Sequence, residues 1–118
     1  MAIRIIKEKY VQCAEEQQKC FFSGDVKQGN KCADKLIRYN AIIEKTDDES
    51  VNKVIDYIID SDKPNAVMWI SFICAKRKYR LTDIKEKLVR YSVDRDLGLL
   101  AFNAKVILEQ IEKKWGAE

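Results

Sequence analysis

The sequence predicts an all-α fold: six helices in three antiparallel hairpins, stacked as an α-solenoid in a single helical-repeat domain over residues 1–118. Three observations lead there. An aspartate precedes a helix at Asp25, Asp62 and Asp94, positions 37 and then 32 residues apart. Similar starts at near-constant spacing mark stacked helical hairpins, each too small to bury its own apolar stripe. Apolar residues recur at intervals of three and four, with no strand-like alternation and no Asn-Gly or Asp-Gly hairpin turn. The composition, 47% hydrophobic and 35% charged with one proline and four glycines, suits a compact helical domain rather than a disordered or disulfide-built chain.

The first helix is expected from about Ile3 to Phe22, with Ile3, Ile6, Tyr10, Cys13, Ala14, Gln17, Cys20 and Phe21 on its inner stripe. Ser23-Gly24-Asp25 ends it and caps the next: Gly24 can adopt the left-handed stop, and Asp25 can accept hydrogen bonds from free N–H groups. The second helix spans about Val26 to Lys45, with Val26, Gly29, Ala33, Leu36, Ile37 and Ile43 inward and Tyr39 and Asn40 at the edge. Gly29 weakens a helix by itself, so its expected use is close packing against the first helix. The third helix opens on Asp47-Asp48-Glu49, acids that suit the positive end of a helix dipole, and carries Val51, Val54, Ile55, Ile58 and Ile59 inward as far as Ser61.

The fourth helix follows Asp62-Lys63-Pro64, since proline is welcome in a first turn. Ala66 to Ala75 is apolar almost all round, which predicts burial on several sides and a central helix. The fifth helix starts near Thr82-Asp83, where Thr82 gives a partial capping signature, and buries Ile84, Leu88, Val89 and Tyr91. The sixth runs from about Arg95 to Trp115, with Leu97, Leu100, Ala101, Ala104, Ile107, Leu108, Ile111 and Trp115 inward.

The longest strongly apolar run, Ala66 to Ala75, is half of the roughly 20 residues a membrane span needs. The opening Met1-Ala2-Ile3-Arg4-Ile5-Ile6-Lys7 lacks a secretory apolar core and cleavage site, so a cytoplasmic protein is expected. Cys13 and Cys20, seven apart on one helix, sit about 10 Å from each other, too far to bridge. There is no Cys-x-x-Cys pair and no histidine, which argues against a structural zinc site. Cys13, Cys20, Cys32 and Cys74 read as small buried hydrophobes.

Lack of histidine also removes the usual general base at neutral pH. No serine sits in a Gly-x-Ser-x-Gly elbow, and no phosphate loop, Rossmann fingerprint or EF-hand loop occurs. Asp56 and Asp60 could in principle work as a carboxylate pair, but such acids on a helix are more often a solvated face. No catalytic residue, metal or cofactor is expected.

Charge is more informative. Between Glu44 and Asp62 stand seven acids and two bases, a local net charge of −5 in a chain of net +3. Such a patch on a mildly basic protein can serve helix-dipole pairing and solubility; read functionally, it is a docking face for a basic partner, with charge raising the on-rate and selecting the partner. The candidate partner-binding residues are Asp47, Asp48, Glu49, Asp56 and Asp60, with Tyr57 as an aromatic anchor. An opposing basic segment, Lys76-Arg77-Lys78-Tyr79-Arg80 followed by Lys85, Lys87 and Arg90, could meet phosphates. Its cations also suit the negative end of the fourth helix, and +3 is a small net charge for a nucleic-acid binder. Nucleic acid is therefore the weaker expectation, in the form of an RNA-associated or regulatory adaptor.

The stretch Gly98-Leu99-Leu100-Ala101-Phe102-Asn103-Ala104-Lys105-Val106-Ile107-Leu108, closing with Trp115-Gly116, resembles the ending of a family of short bacterial proteins of unknown function. The Gly24-Asp25 turn entering a helix with Ala33 and Leu36 is similar too. The resemblance implies a right-handed armadillo/HEAT-like α-solenoid and carries no catalytic residues. Helices of that class usually close their entry turn with a basic residue; Arg95 matches, whereas the fourth helix has Lys63 and then Pro64. Small helical proteins of this kind often bind one protein, and a recurrent role is immunity, the blocking of a toxin delivered by a neighbouring cell. An acidic third helix suits a nuclease toxin, whose own site must be basic.

Overall fold

The computed structural model describes residues 3–115, with side chains from Ile6 onward, so Ile3 of the expected first stripe and Gly116 of the C-terminal resemblance lie outside the described side chains. Among the described residues the fold is all-α, with six helices and no strand. They are α1 (Ile3–Ser23), α2 (Val26–Glu44), α3 (Asp48–Ser61), α4 (Pro64–Arg77), α5 (Leu81–Ser92) and α6 (Leu99–Trp115), with a short 3-10 turn at Arg95–Leu97 before the last. The chain divides into two compact units, Met1–Ile70 and Ser71–Glu118, the division falling within α4. No helix among the described residues is long and apolar enough to cross a membrane.

In the first unit α1 packs against α2 and against α3. The turn between α1 and α2 forms as its residues dictate. Gly24 takes a left-handed φ of +82°, the Asp25 N–H reaches back to the Cys20 carbonyl at 3.0 Å, and Asp25 Oδ1 accepts from the Gln28 N–H at 3.1 Å. Gly29 lets the helices close: a Cβ built on it would lie 3.3 Å from Cys20 Cβ, tighter than ordinary contact. The buried stripe of α2 is narrower than expected, being Cys32, Leu36 and Ile43. Val26 and Ile37 are 70% and 57% exposed, so the apolar rhythm of α2 runs beyond the strip that is covered. Phe21 also turns outward and meets Phe22 edge-to-face at 5.6 Å. All five expected inner positions of α3 are buried.

A polar cluster ties α1, α2 and the start of α4 together. Asn65, buried in the first turn of α4, donates from Nδ2 to the Ala14 carbonyl and to Gln17 Oε1, both at 2.8 Å. The Trp69 indole N–H donates to the same Gln17 oxygen at 2.7 Å. Asn40 Nδ2 reaches the Trp69 carbonyl at 3.3 Å, and the Tyr10 hydroxyl donates to Asn40 Oδ1 at 2.7 Å. Among the described residues no buried side-chain nitrogen or oxygen lacks a partner. A fully paired network of this kind fixes one packing, whereas a half-paired one is costly.

Within the apolar run of α4, Ala66, Val67, Met68, Ile70, Ser71, Ile73, Cys74 and Ala75 are buried, and Phe72 and the edge of Trp69 reach solvent. In the second unit α5 packs against α6. Leu81, Ile84, Leu88 and Tyr91 are its buried residues, whereas Val89, expected inward, is half exposed. Helix α5 starts one residue before Thr82, and Arg80, not Thr82, is its N-cap.

The three aspartate entries are not equivalent. Asp25 is a true N-cap. Asp62 instead closes α3 in a left-handed conformation, φ 51° and ψ 33°, with its N–H on the Ile59 carbonyl. Asp94 caps the 3-10 turn through the Asp96 N–H at 3.0 Å. Gly98, at φ 56°, then breaks the chain direction, so α6 begins at Leu99 rather than Arg95. The α4–α5 connection holds two more left-handed residues without glycine, Lys78 (φ 55°) and Arg80 (φ 51°). There the N–H of Tyr79 bonds the Cys74 carbonyl and that of Lys78 the Ala75 carbonyl, the paired arrangement that closes a helix around a left-handed residue.

Two predictions follow from these contacts. Asn65→Ala removes the two bonds that the amide makes to the Ala14 carbonyl and Gln17 Oε1, and should lower stability by about 1–3 kcal/mol in a thermal or denaturant melt; an unchanged melt would show that the cluster does not hold α4. Lys78→Gly relieves a side chain in left-handed backbone and should raise stability by about 0.5–1 kcal/mol in the same assay.

Candidate functional site

The six residues expected to bind a partner lie on or beside α3, but not on one face of it. Each helical residue advances about 100°. Glu49, Asp56 and Asp60 therefore share one outward strip, with Tyr57 along its side, opposite the buried Val51, Val54, Ile55, Ile58 and Ile59. Asp48 falls about 100° round the helix from Glu49, and Asp47 precedes the first turn as its cap. Along the axis, Glu49 and Asp60 stand about 16 Å apart.

Asp47 has local work of its own. In extended backbone (φ −63°, ψ 151°), its Oδ2 accepts the Ser50 N–H at 3.0 Å. That bond, seconded by the nearby Lys53 charge, holds its carboxyl below the ordinary value of 3.8. Asp48 and Glu49, exposed in the first turn, meet the positive helix end. Asp48, Asp56 and Asp60 each already engage a neighbour.

Two cations stand at the site, Lys53 and Lys7. Lys53 sits within the outward strip, four residues after Glu49 and three before Asp56, and dilutes its charge. Lys7, from α1, places its ammonium 5.0 Å from the centre of the Tyr57 ring. Tyr57 is 38% exposed, so part of the ring remains open beside that cation. Lys53 could have been found from its spacing; Lys7 could not, because its place depends on how α1 meets α3.

The basic segment of the second unit is partly neutralised from within. Arg80 Nε bonds Asp83 Oδ2 at 2.9 Å, and the Arg90 guanidinium lies 5.2 Å from the Tyr91 ring centre. Arg77 and Lys87 also engage neighbours. Lys76 and Lys78 are exposed. At the end of the same unit an open hollow of about 620 Å³ is lined by Phe72, Gln110, Lys113, Lys114 and Trp115, with the Phe72 and Trp115 rings 6.1 Å apart. Among the described residues no group of three or more cysteines and carboxylates is placed to hold a metal ion.

No protein-family model matches the chain, and no match was found among curated proteins or solved structures.

Loss of the Asp47 cap gives a pH signature. Its lowered folded value means that the carboxylate stabilises the fold above 3.8 and ceases to do so as pH falls through the folded value. Asp47→Ala should melt below the parent protein at neutral pH, and the gap should close as the pH is taken below 3.8; a gap independent of pH would show that the carboxylate charge contributes nothing.

Proposed function

We propose that this chain is a non-enzymatic protein-binding module, most concretely a cytoplasmic immunity protein that binds a cognate bacterial toxin and neutralises it by occlusion. The observation that carries the reading is the outward strip of α3, where Glu49, Asp56 and Asp60 stand together with a half-open Tyr57 beside them. Charges arranged this way on a rigid, well-buried helix steer a basic partner and select it. A nuclease toxin has such a basic surface, since it must hold phosphates. The preformed helix covers the toxin's active site or an adjacent surface without rearranging.

The same reading includes the stacked-hairpin solenoid and the kinship with short bacterial helical proteins. In the first unit it is supported by contacts whose numbers climb along α1 as they fall along α2: Tyr10 with Asn40, Cys13 with Cys32 and Cys20 with Gly29. Such pairing belongs to an antiparallel hairpin. Packing of α5 on α6 supports a second one. Asp62, which closes α3 instead of capping the next helix, and Asp94, which caps a 3-10 turn rather than an α-helix, are the features that fit it least.

The runner-up is an RNA-associated adaptor working through Lys76, Arg77, Lys78, Arg80, Lys85 and Arg90. The internal pairing of Arg80 and Arg90 weighs against it.

The test is affinity capture of the partner from the native host, followed by binding measurements with Asp56→Lys/Asp60→Lys. The double variant should bind at least about tenfold more weakly while its melt stays within about 0.5 kcal/mol of the parent. Unchanged affinity removes α3 as the docking face. Recovery of RNA that washes off at moderate salt moves the function to the basic segment.

A further inference from the structure

Three of the four cysteines converge on the seam between α1 and α2, and the proposed docking function uses none of them. All four are free thiols. Gly29 brings the two helices close at Cys20, whose Cβ would meet an added Cβ at 3.3 Å. Two turns along α1 from Cys20, the Cys13 thiol donates to the Cys32 carbonyl at 3.2 Å, across 19 positions of sequence. Cys32 thus lies directly across the seam from the Cys13 thiol, with its own sulfur 3.9 Å from the Gln28 amide nitrogen. Cys13 and Cys20 cannot reach each other, being about 10 Å apart on one helix. Cys13 is the partly exposed member, while Cys20 and Cys32 are 5% and 3% exposed.

From this geometry we propose that Cys13 and Cys32 form a redox-modification site, closing reversibly into a disulfide that staples α1 to α2. The co-reactant is a small-molecule disulfide of the glutathione class. The thiolate of Cys13, the accessible sulfur, attacks one sulfur of that disulfide. A mixed disulfide forms, and one glutathione leaves as thiolate and takes up a proton. Cys32, as thiolate, then attacks the Cys13 sulfur, and the second glutathione leaves. Two protein thiols lose two electrons and two protons, and one glutathione disulfide becomes two glutathione thiols.

The surroundings set the speed of the switch. Burial pushes the Cys13 thiol up to about 11, with Cys32 and Glu16 adding to the rise and Lys35 opposing it. Cys32 and Lys35 face it from α2 and Glu16 from its own helix. Burial raises Cys20 too, with Glu16 and Asp25 adding to it. The attacking thiolate is therefore scarce at neutral pH, and closure is slow there. Its rate should climb about tenfold per pH unit through the mildly alkaline range, as the thiolate fraction does.

The test is incubation of the full chain with oxidised glutathione at mildly alkaline pH, read by intact mass, thiol titration and peptide mapping. The expected product has lost two hydrogens, keeps two of its four thiols and yields one linked peptide pair containing Cys13 and Cys32. Its Tm rises, because the bridge restrains the unfolded chain. Cys74→Ser should cross-link as the parent does, and Cys32→Ser should not. Four thiols persisting after prolonged oxidation, a chain carrying only mixed disulfides, or a bridge mapped to Cys20 and Cys32 overturns the assignment. So does a bridged product that melts below the reduced protein, since the helices would then have had to move to meet. None of these readouts involves a binding partner, so they stand or fall apart from the docking proposal.

Discussion

The first unit turns on one amide oxygen. Gln17 Oε1, on α1, receives both the Asn65 amide and the Trp69 indole from the opening turns of α4, and Asn40 of α2 closes the circuit on the Trp69 carbonyl. Apolar burial decides that these helices associate, but burial is non-directional and would accept several rotations of each helix about its axis. Hydrogen bonds of fixed length and angle accept far fewer. Since the buried Asn65 amide would be left unpaired in another arrangement, slipping costs more than the net worth of its bonds. Position of α3 follows from that of α1, which it packs against, and with it the direction in which Glu49, Asp56 and Asp60 point.

Much of this was legible in the residues, and what was not has identifiable causes. The inner face of α3 could be read position by position, because Val51, Val54, Ile55, Ile58 and Ile59 keep a strict helical spacing and all lie inward. The Gly24-Asp25 turn was legible because glycine and an N-cap each have one obvious use there. The width of the α2 stripe was not: Val26 and Ile37 continue the apolar rhythm, yet burial depends on how many neighbours a helix has, which periodicity does not encode. Asp62, Lys78 and Arg80 show a second blind spot. Left-handed backbone is expected at glycine, and here aspartate, lysine and arginine adopt it at helix ends. Asn65 shows a third, since a lone amide beside a proline looks like a surface residue until its acceptors are known.

The candidate site was legible as a charge excess but not as a shape. Counting acids from Glu44 to Asp62 gives the sign of the patch. Helical geometry then separates it into a strip that faces outward, an aspartate that caps the helix and another that points aside. Asp47 could be assigned to capping from its place before the first turn, and its bond to Ser50 accounts for it without a partner. The residues left for docking are fewer than the acids present, and Lys53 stands among them.

The lysine over Tyr57 alters what binding at this face would involve. An aromatic ring that already carries an ammonium 5.0 Å from its centre is a site with its counter-ion in place. A basic partner reaching for that ring does not add a cation to a vacant surface; it exchanges its own for Lys7, which must swing aside into water. The charge gained in the exchange is smaller than the acids alone imply, and so is the number of small ions released. Affinity at this face should therefore depend on ionic strength less steeply than its charge excess suggests, with discrimination resting on the shape and hydrogen bonding of whichever cation fits the ring better.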